Sequence, residues 1–94
     1  MIKNFQNIVV LGAGKSGIGA AVLAKKNNLN VLICDDSKIS EESTNTLREY
    51  GVEYYQVDYM SFISNVQDVL VVSPGIDNDH LLVKYFLKSS KPII

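Results

Sequence analysis

A glycine-rich segment at residues 12–17, with the sequence GAGKSG, has the composition and spacing of a phosphate-binding loop. It matches the pattern Gly-x-Gly-x-x-Gly, in which the glycines allow a tight turn, close approach of a phosphate and close packing of a helix. An apolar run precedes it and a helical pattern follows, so the amide N–H groups that begin the helix would face an anion. The segment predicts nucleotide binding through Gly14 and Gly17. The alternative is a tight strand-to-helix turn that binds nothing.

The Gly14-Lys15-Ser16 step also occurs at the end of an ATP-hydrolysing P-loop, but the rest of that pattern is missing. A P-loop needs a glycine five positions before Gly14, where this sequence has Val9 within an apolar run. We therefore exclude a P-loop. Lys15 could supply a cation and Ser16 a hydroxyl to a phosphate, whereas a solvated lysine and a simple helix cap are the alternative interpretations.

A second candidate loop, Ser73-Pro74-Gly75-Ile76, follows the apolar run at residues 69–72. In a parallel sheet of order 3-2-1-4-5, strands one and four are neighbours, so this loop and the glycine loop flank one crevice. Gly75 could offer its N–H and Ser73 its hydroxyl to a second phosphate, with Ile76 as an apolar wall. The alternative is an ordinary turn with proline second and glycine third.

Two adjacent carboxylates, Asp35 and Asp36, follow the apolar run at residues 31–34. Asp35 stands close to the position, ~20 residues beyond the glycine motif, where nucleotide-binding domains carry an acid that binds a ribose. Successive residues of a strand point to opposite sides, so we assign ligand recognition to Asp35 and the exclusion of a 2′-phosphate to Asp36. No catalytic residue is predicted.

Other reactive side chains are assigned structural roles. His80, beside Asp79, is predicted to be a surface or helix-start histidine, because no nucleophile accompanies it. Cys34 lies in an apolar run and is predicted to be a buried small hydrophobe. Three tyrosines near the third strand are predicted to pack at a distance from the crevice: Tyr54, Tyr55 and Tyr59.

The order of apolar runs and helical patterns predicts the fold. Continuous apolar runs, typical of a parallel sheet covered on both faces, predict five strands near residues 8–11, 31–34, 52–57, 69–72 and 92–94. Helices are predicted at residues 16–26, from Ser40 to Gly51, and at residues 79–88. We therefore predict an α/β, Rossmann-like, open and mostly parallel five-stranded sheet with helices on both faces, as a single nucleotide-binding domain over residues 1–94.

Composition excludes several classes of function. Nine basic and ten acidic side chains give a net charge of −1, which disfavours a nucleic-acid partner. The apolar runs are far shorter than the ~20 residues of a membrane span, and the N-terminus lacks a signal-peptide core. One cysteine and one histidine exclude a Cys/His metal cluster. We expect a cytoplasmic monomer, and the apolar end at residues 92–94 suggests a piece of a longer chain.

Residues 8–17 (IVVLGAGKSG), Asp35 and residues 71–76 (VVSPGI) together resemble the N-terminal domain of the Mur ligases, over essentially the whole chain. The resemblance is nearest to the D-glutamate-adding ligases of that family. It implies a bacterial cytoplasmic enzyme of peptidoglycan synthesis, in which this domain holds the UDP part of UDP-N-acetylmuramoyl-L-alanine. ATP and magnesium would bind in a central domain, and a C-terminal domain would help to position D-glutamate. The implied reaction is ATP-dependent amide formation.

The resemblance also implies roles for individual residues. The diphosphate would contact Gly14, Lys15 and Ser16, and the loop of Ser73, Pro74, Gly75 and Ile76 would close over it. Asp35 and its neighbours Asp36 and Ser37 would contact and recognise the uridine. Some relatives carry a hydroxyl or basic residue directly after this acid, where the present chain has Asp36. The 94-residue chain alone is expected to have no ligase activity.

Two alternatives stay open at this point. The glycine loop and Asp35 would suffice for an NAD-binding Rossmann domain of a dehydrogenase or for a nucleotide sensor, although neither calls for the Ser-Pro-Gly loop. The chain could also be a scaffold or interaction module that binds no nucleotide.

Overall fold

The chain forms a three-layer α/β domain. A computed structural model describes residues 5–94, so the first four residues of the predicted domain lie outside the described part. The elements, in chain order, are β1 (Asn7–Leu11), α1 (Lys15–Lys26), β2 (Asn30–Asp35), α2 (Glu41–Tyr50), β3 (Glu53–Gln56), a short 3-10 helix (Met60–Phe62), β4 (Val69–Val72) and α3 (Leu81–Lys88). The strands pair in the order β3-β2-β1-β4, and every pair is parallel. The predicted α/β class and parallel sheet are confirmed.

The prediction of a fifth strand at residues 92–94 was wrong in detail. Ile93 forms an isolated parallel bridge with Leu70 of β4, supported by a hydrogen bond from the Ile94 N–H to the Leu70 carbonyl at 2.8 Å. Pro92 has no N–H to donate, so the short segment makes a single bridge and the sheet has four strands. The segment nevertheless lies beside β4, where the 3-2-1-4-5 order places a fifth strand.

Both faces of the sheet are buried because alternate residues of β1 point to opposite sides. Ile8 and Val10 pack in a core shared with α1 and α2, which contribute Ala21, Ala24 and Leu47. Val9 and Leu11 pack in a second core shared with α3, which contributes Leu82, Val83 and Phe86. Helices therefore cover both faces, as predicted. Cys34 lies in the second core, and burial, with the nearby Asp36 and Asp35, raises the pKa of its thiol to about 12.

The helix ends follow from local sequence. The Ser40 hydroxyl accepts a hydrogen bond from the Ser43 N–H at 3.2 Å and caps α2, which ends at Gly51 with a φ of 71°. α3 begins at Leu81, two residues after the predicted start, because His80 occupies the capping position. Among the described helices, none combines the length and the apolar character that crossing a membrane requires.

Burial of α3 against the sheet yields a stability prediction. Leu82 is 0% exposed, whereas Leu87 on the same helix is 61% exposed. Leu82→Ala should lower the free energy of unfolding by about 2–5 kcal/mol, because it leaves a cavity in the core. Leu87→Ala, the matched control, should change it by less than about 0.5 kcal/mol. Urea unfolding measures both, and similar losses in the two variants would contradict the assigned packing.

Candidate functional site

The two predicted loops meet at the carboxyl ends of β1 and β4. The Ser73 N–H donates to the Leu11 carbonyl at 3.1 Å. The second loop therefore begins immediately after the last residues at which β1 and β4 pair. A cavity of about 110 Å³ lies between the loops and is lined by Ser16 and Gly17 on one side and by Ser73 and Pro74 on the other. The structure therefore brings the two motifs together in one crevice, at the switch point of the strand order.

Packing accounts for two of the three glycines in the first loop. Gly12 has a φ of +108°, and a Cβ atom there would lie 2.5 Å from the Ser73 hydroxyl oxygen. A Cβ atom on Gly17 would lie 1.8 Å from the Gly12 carbonyl oxygen. A side chain at Gly12 would displace Ser73, and one at Gly17 would push α1 away from the sheet.

Gly14 differs from its two neighbours, because neither strain nor packing requires a glycine there. Its backbone is extended, with a φ of −79° and a ψ of −171°, and a Cβ atom would meet nothing within 4 Å. Gly14 occupies the N-cap position of α1, where no side chain caps the helix and no acid lies in the first turn. The first N–H groups of a helix lack partners within it, so this end can accept an anion that approaches the backbone closely.

Asp35 uses its carboxylate to connect β2 to the glycine loop. Its Oδ2 accepts a hydrogen bond from the Ala13 N–H at 2.8 Å, and its Oδ1 accepts bonds from the N–H and hydroxyl of Ser37, both at 3.0 Å. Partial burial raises the pKa of this carboxyl, but the hydrogen bonds from Ala13 and Ser37 outweigh it, so the pKa lies below its usual value. Its contact with a ribose stays a prediction.

Asp36 contacts a different set of groups, which the sequence analysis missed. Its Oδ1 accepts a hydrogen bond from the Tyr59 hydroxyl at 2.6 Å, and its Oδ2 lies 2.7 Å from Nε2 of His80. Tyr59 does pack in the core, as predicted, but its hydroxyl reaches the candidate site. His80 does begin α3, as predicted, but it also pairs with Asp36. No local pattern links these residues, because they come from three separate segments.

A larger surface pocket of about 520 Å³ lies beside this cluster and is lined in part by Asp36, Tyr59 and His80. Val57 lines it as well and has a φ of +60°. A β-branched residue rarely adopts this conformation. Backbone strain of this kind persists only where the surrounding contacts enforce it.

Residues 73–76 form the turn with proline second and glycine third that the sequence predicts as an alternative. The Ile76 N–H donates to the Ser73 carbonyl at 3.3 Å, and Gly75 has a φ of +93°. A Cβ atom on Gly75 would meet nothing within 4 Å. The hydroxyl oxygen of Ser73 is buried and has no hydrogen-bond partner among the described residues. A buried polar atom without a partner is costly, so this hydroxyl marks the crevice as a place for a polar group.

Residues 6–94 match the family model described as Mur ligase MurD-like, N-terminal domain. The chain belongs to this Mur ligase family. Membership favours the Mur ligase interpretation over an NAD-binding domain of a dehydrogenase.

Individual relatives agree with the family match. The UDP-N-acetylmuramoylalanine–D-glutamate ligase of Bacteroides fragilis is 37% identical over 89 residues, covering 95% of this chain and 20% of that protein. The ligase of the same name from Christiangramia forsetii is 38% identical over 80 residues, covering 84% of this chain and 18% of that protein. The chain thus spans about one fifth of the length of these curated Mur ligases.

A solved Mur ligase structure shows the same fold. The UDP-N-acetylmuramate:L-alanyl-gamma-D-glutamyl-meso-diaminopimelate ligase of Neisseria meningitides superposes with a TM-score of 0.78 at 24% identity. The match covers 96% of this chain and 28% of that one. The parallel sheet and its covering helices are therefore the architecture of a Mur ligase N-terminal domain.

The contact between Gly17 and Gly12 can be tested with a pair of glycine variants in α1. Gly17→Ala should destabilise the domain by about 1–3 kcal/mol, because the new methyl group overlaps the Gly12 carbonyl. Gly19→Ala should stabilise it by up to about 1 kcal/mol, since its Cβ meets open space and alanine favours the helix. Thermal or urea unfolding measures both, and a neutral Gly17→Ala would contradict the close approach.

The lowered pKa of Asp35 predicts that the folded domain loses part of its stability in acid. Stability from a carboxyl with a lowered folded-state pKa is present above its unfolded value of about 3.9 and is lost as the pH falls through the folded value. Asp35→Asn should therefore be less stable at pH 7 and lose less stability between pH 5 and pH 2 than the unchanged chain. Urea unfolding across this range measures the slopes, and equal slopes would contradict the assignment. Some sensitivity should persist through Asp68, whose pKa is lowered by hydrogen bonds from the Gln6 and Asn7 N–H groups.

Proposed function

We propose that this chain binds the UDP moiety of UDP-N-acetylmuramoyl-L-alanine, as the N-terminal domain of an ATP-dependent ligase that adds D-glutamate in bacterial peptidoglycan synthesis. Family membership and the names of the related ligases support the substrate. The observation that carries the proposal is Gly14, where neither backbone strain nor packing requires a glycine and which lies at the open start of α1, with no side-chain cap.

The diphosphate is proposed to lie between the two loops. The amide N–H groups at the start of α1 and the positive end of its dipole would face the phosphates. Lys15 and Ser16 are both exposed beside this end and would add a cation and a hydroxyl. On the other side Gly75 would offer its N–H, and the buried Ser73 hydroxyl would gain a polar partner.

The uridine is proposed to extend from the diphosphate toward the end of β2. Asp35 holds the glycine loop in place, and the exposed Asp36 and Ser37 continue the same edge. Pro74 and Ile76 would form the apolar side of the crevice. The chain would thus hold one end of the substrate and leave the N-acetylmuramoyl-L-alanine end to the rest of the enzyme.

Among the described residues, the glycine loop lacks the pattern of an ATP-binding P-loop. Val9, where a P-loop needs glycine, is 0% exposed inside β1, so the loop cannot be rebuilt as a P-loop. Within residues 5–94, no group of three or more His, Cys, Asp or Glu side chains could hold a metal ion. By resemblance to the Mur ligases, we propose that ATP, magnesium and the groups that activate the carboxylate belong to other domains of the full-length ligase.

On this proposal the chain contributes binding energy instead of bond-making groups. Binding a part of the substrate remote from the reaction holds the reacting carboxylate in place and so reduces the entropic barrier to attack by the amine. The chain alone would bind the nucleotide and form no amide product.

Amide NMR titrations of the chain with UDP, UMP and NAD test the proposal. We expect shifts confined to residues 12–17, 35–37 and 73–76, with UDP bound more tightly than UMP, because UDP carries the second phosphate. Gly14→Ala should lower UDP affinity at least about tenfold, because its methyl group occupies the space where a phosphate approaches, which corresponds to about 1.4 kcal/mol. Gly19→Ala is the matched control and should bind UDP as the unchanged chain does.

Two results would contradict the proposal. A preference for NAD over UDP would favour a dinucleotide-binding domain, and absence of binding to all three ligands would favour a scaffold. Stability should be measured on the same samples, since alanine is a poorer N-cap than glycine and costs α1 up to about 1 kcal/mol.

A further inference from the structure

We infer that His80 and Tyr59 are positioning residues for the nucleotide site, because together they hold the Asp36 carboxylate and fasten the segment after β2 to the start of α3. The inference rests on the proposed function, since the site they position is the UDP site. Neither residue lies in the two phosphate-binding loops, and nothing in the glycine or Ser-Pro-Gly motif indicates them.

The hydrogen bonds of His80 define a single form of its ring. Nδ1 accepts a bond from the Leu82 N–H at 3.0 Å, so Nδ1 carries no proton and the ring caps α3. Nε2 lies 2.7 Å from Oδ2 of Asp36, which is an acceptor, so Nε2 carries the proton and donates it. Both nitrogens of the neutral imidazole are thus used. The His80 side chain is 15% exposed and that of Asp36 is 61% exposed, so the histidine is largely buried and the carboxylate lies at the surface.

Tyr59 holds the other oxygen of the same carboxylate. Its hydroxyl donates to Oδ1 of Asp36 at 2.6 Å, while its ring lies in the core and is 4% exposed overall. Burial, and next the hydrogen bond to Asp36, raise the pKa of this hydroxyl well above its usual value, so it stays protonated and donates. The left-handed backbone of Val57 lies two residues before Tyr59 and shows that this turn is held against its local preference.

These contacts join the two loops of the candidate site. The neighbouring residue Asp35 holds Ala13 of the glycine loop, and Asp36 holds His80. His80 ends the segment that begins at Ser73, and its own N–H donates to the Asp77 carbonyl at 3.0 Å. Through the adjacent residues Asp35 and Asp36, these hydrogen bonds therefore connect the glycine loop to residues 77–80, the segment that directly follows the loop at residues 73–76. A site whose loops are fixed before the ligand arrives loses less conformational entropy on binding.

Two substitutions separate positioning from fold stability. His80→Asn keeps a good N-cap for α3 but is too short to reach Asp36. Tyr59→Phe keeps the buried ring and removes only the hydroxyl. Tyr85→Phe is the matched control, because its hydroxyl, 3.4 Å from the Asn65 side chain, lies outside the cluster.

The first measurement is the ring form of His80. It is the only histidine in the chain, so its imidazole ¹⁵N signals need no assignment. We expect a proton on Nε2 and none on Nδ1. A proton on Nδ1 would overturn the inference, because that form can neither cap α3 nor hold Asp36.

The second measurement is backbone order without ligand, followed by UDP affinity. In His80→Asn and in Tyr59→Phe, amide order parameters at residues 36–38 and 75–79 should fall together from about 0.85 toward about 0.6, and UDP affinity should fall about tenfold. Tyr85→Phe should change neither. A lower melting temperature with unchanged order and unchanged affinity would show a merely structural role and overturn the inference.

The two measurements distinguish a failure of the positioning role from a failure of the proposed UDP binding. If the unchanged chain does not bind UDP, the proposed function fails, and the order parameters alone then decide whether His80 and Tyr59 fix the two loops. Loosening at both segments would support the coupling, and loosening at residues 36–38 alone would overturn it.

Discussion

The contact between the start of α1 and the end of β1 is the constraint on which the rest of the site depends. A carbonyl oxygen at Gly12 lies where a side-chain methyl group at Gly17 would otherwise be, so the helix backbone rests almost directly on the strand. Small residues farther along, Ala21 and Ala24, keep the helix close to the sheet. As a result the positive end of α1 opens beside the Ser73 loop, where two sets of backbone groups face the same small volume.

Much of this arrangement could be predicted from the sequence because it is local. The glycine spacing specifies the turn before α1, and Ser40 and Gly51 specify the ends of α2 through a hydroxyl cap and a left-handed residue. The crevice could also be predicted, since right-handed crossovers place strands one and four side by side. The cluster of Asp36, Tyr59 and His80 could not, because its members are brought together by the tertiary fold and share no periodic pattern.

The two aspartates show how strand geometry divides adjacent groups between tasks. Asp35 and Asp36 leave β2 in succession, and their carboxylates bind to different parts of the molecule. One stabilises the loop that approaches the proposed diphosphate, and the other stabilises the start of α3. The alternation of side chains along a strand predicts that they point apart. Their partners, the Ala13 N–H and the Tyr59 and His80 side chains, depend on how the loops fold over the sheet.

The two edges of the sheet differ in a way that concerns the chain while it is being synthesised. On one side, residues 92–94 cover β4 with hydrogen bonds to Leu70 and Val72. On the other side, β3 is an uncovered edge among the described residues, but it is only four residues long and begins with the exposed Glu53. Short edges with charged side chains resist pairing with strands of other molecules. The β4 edge, which carries the apolar residues Val69 and Leu70, is open to self-association only until residues 92–94 have been added and have folded beside it.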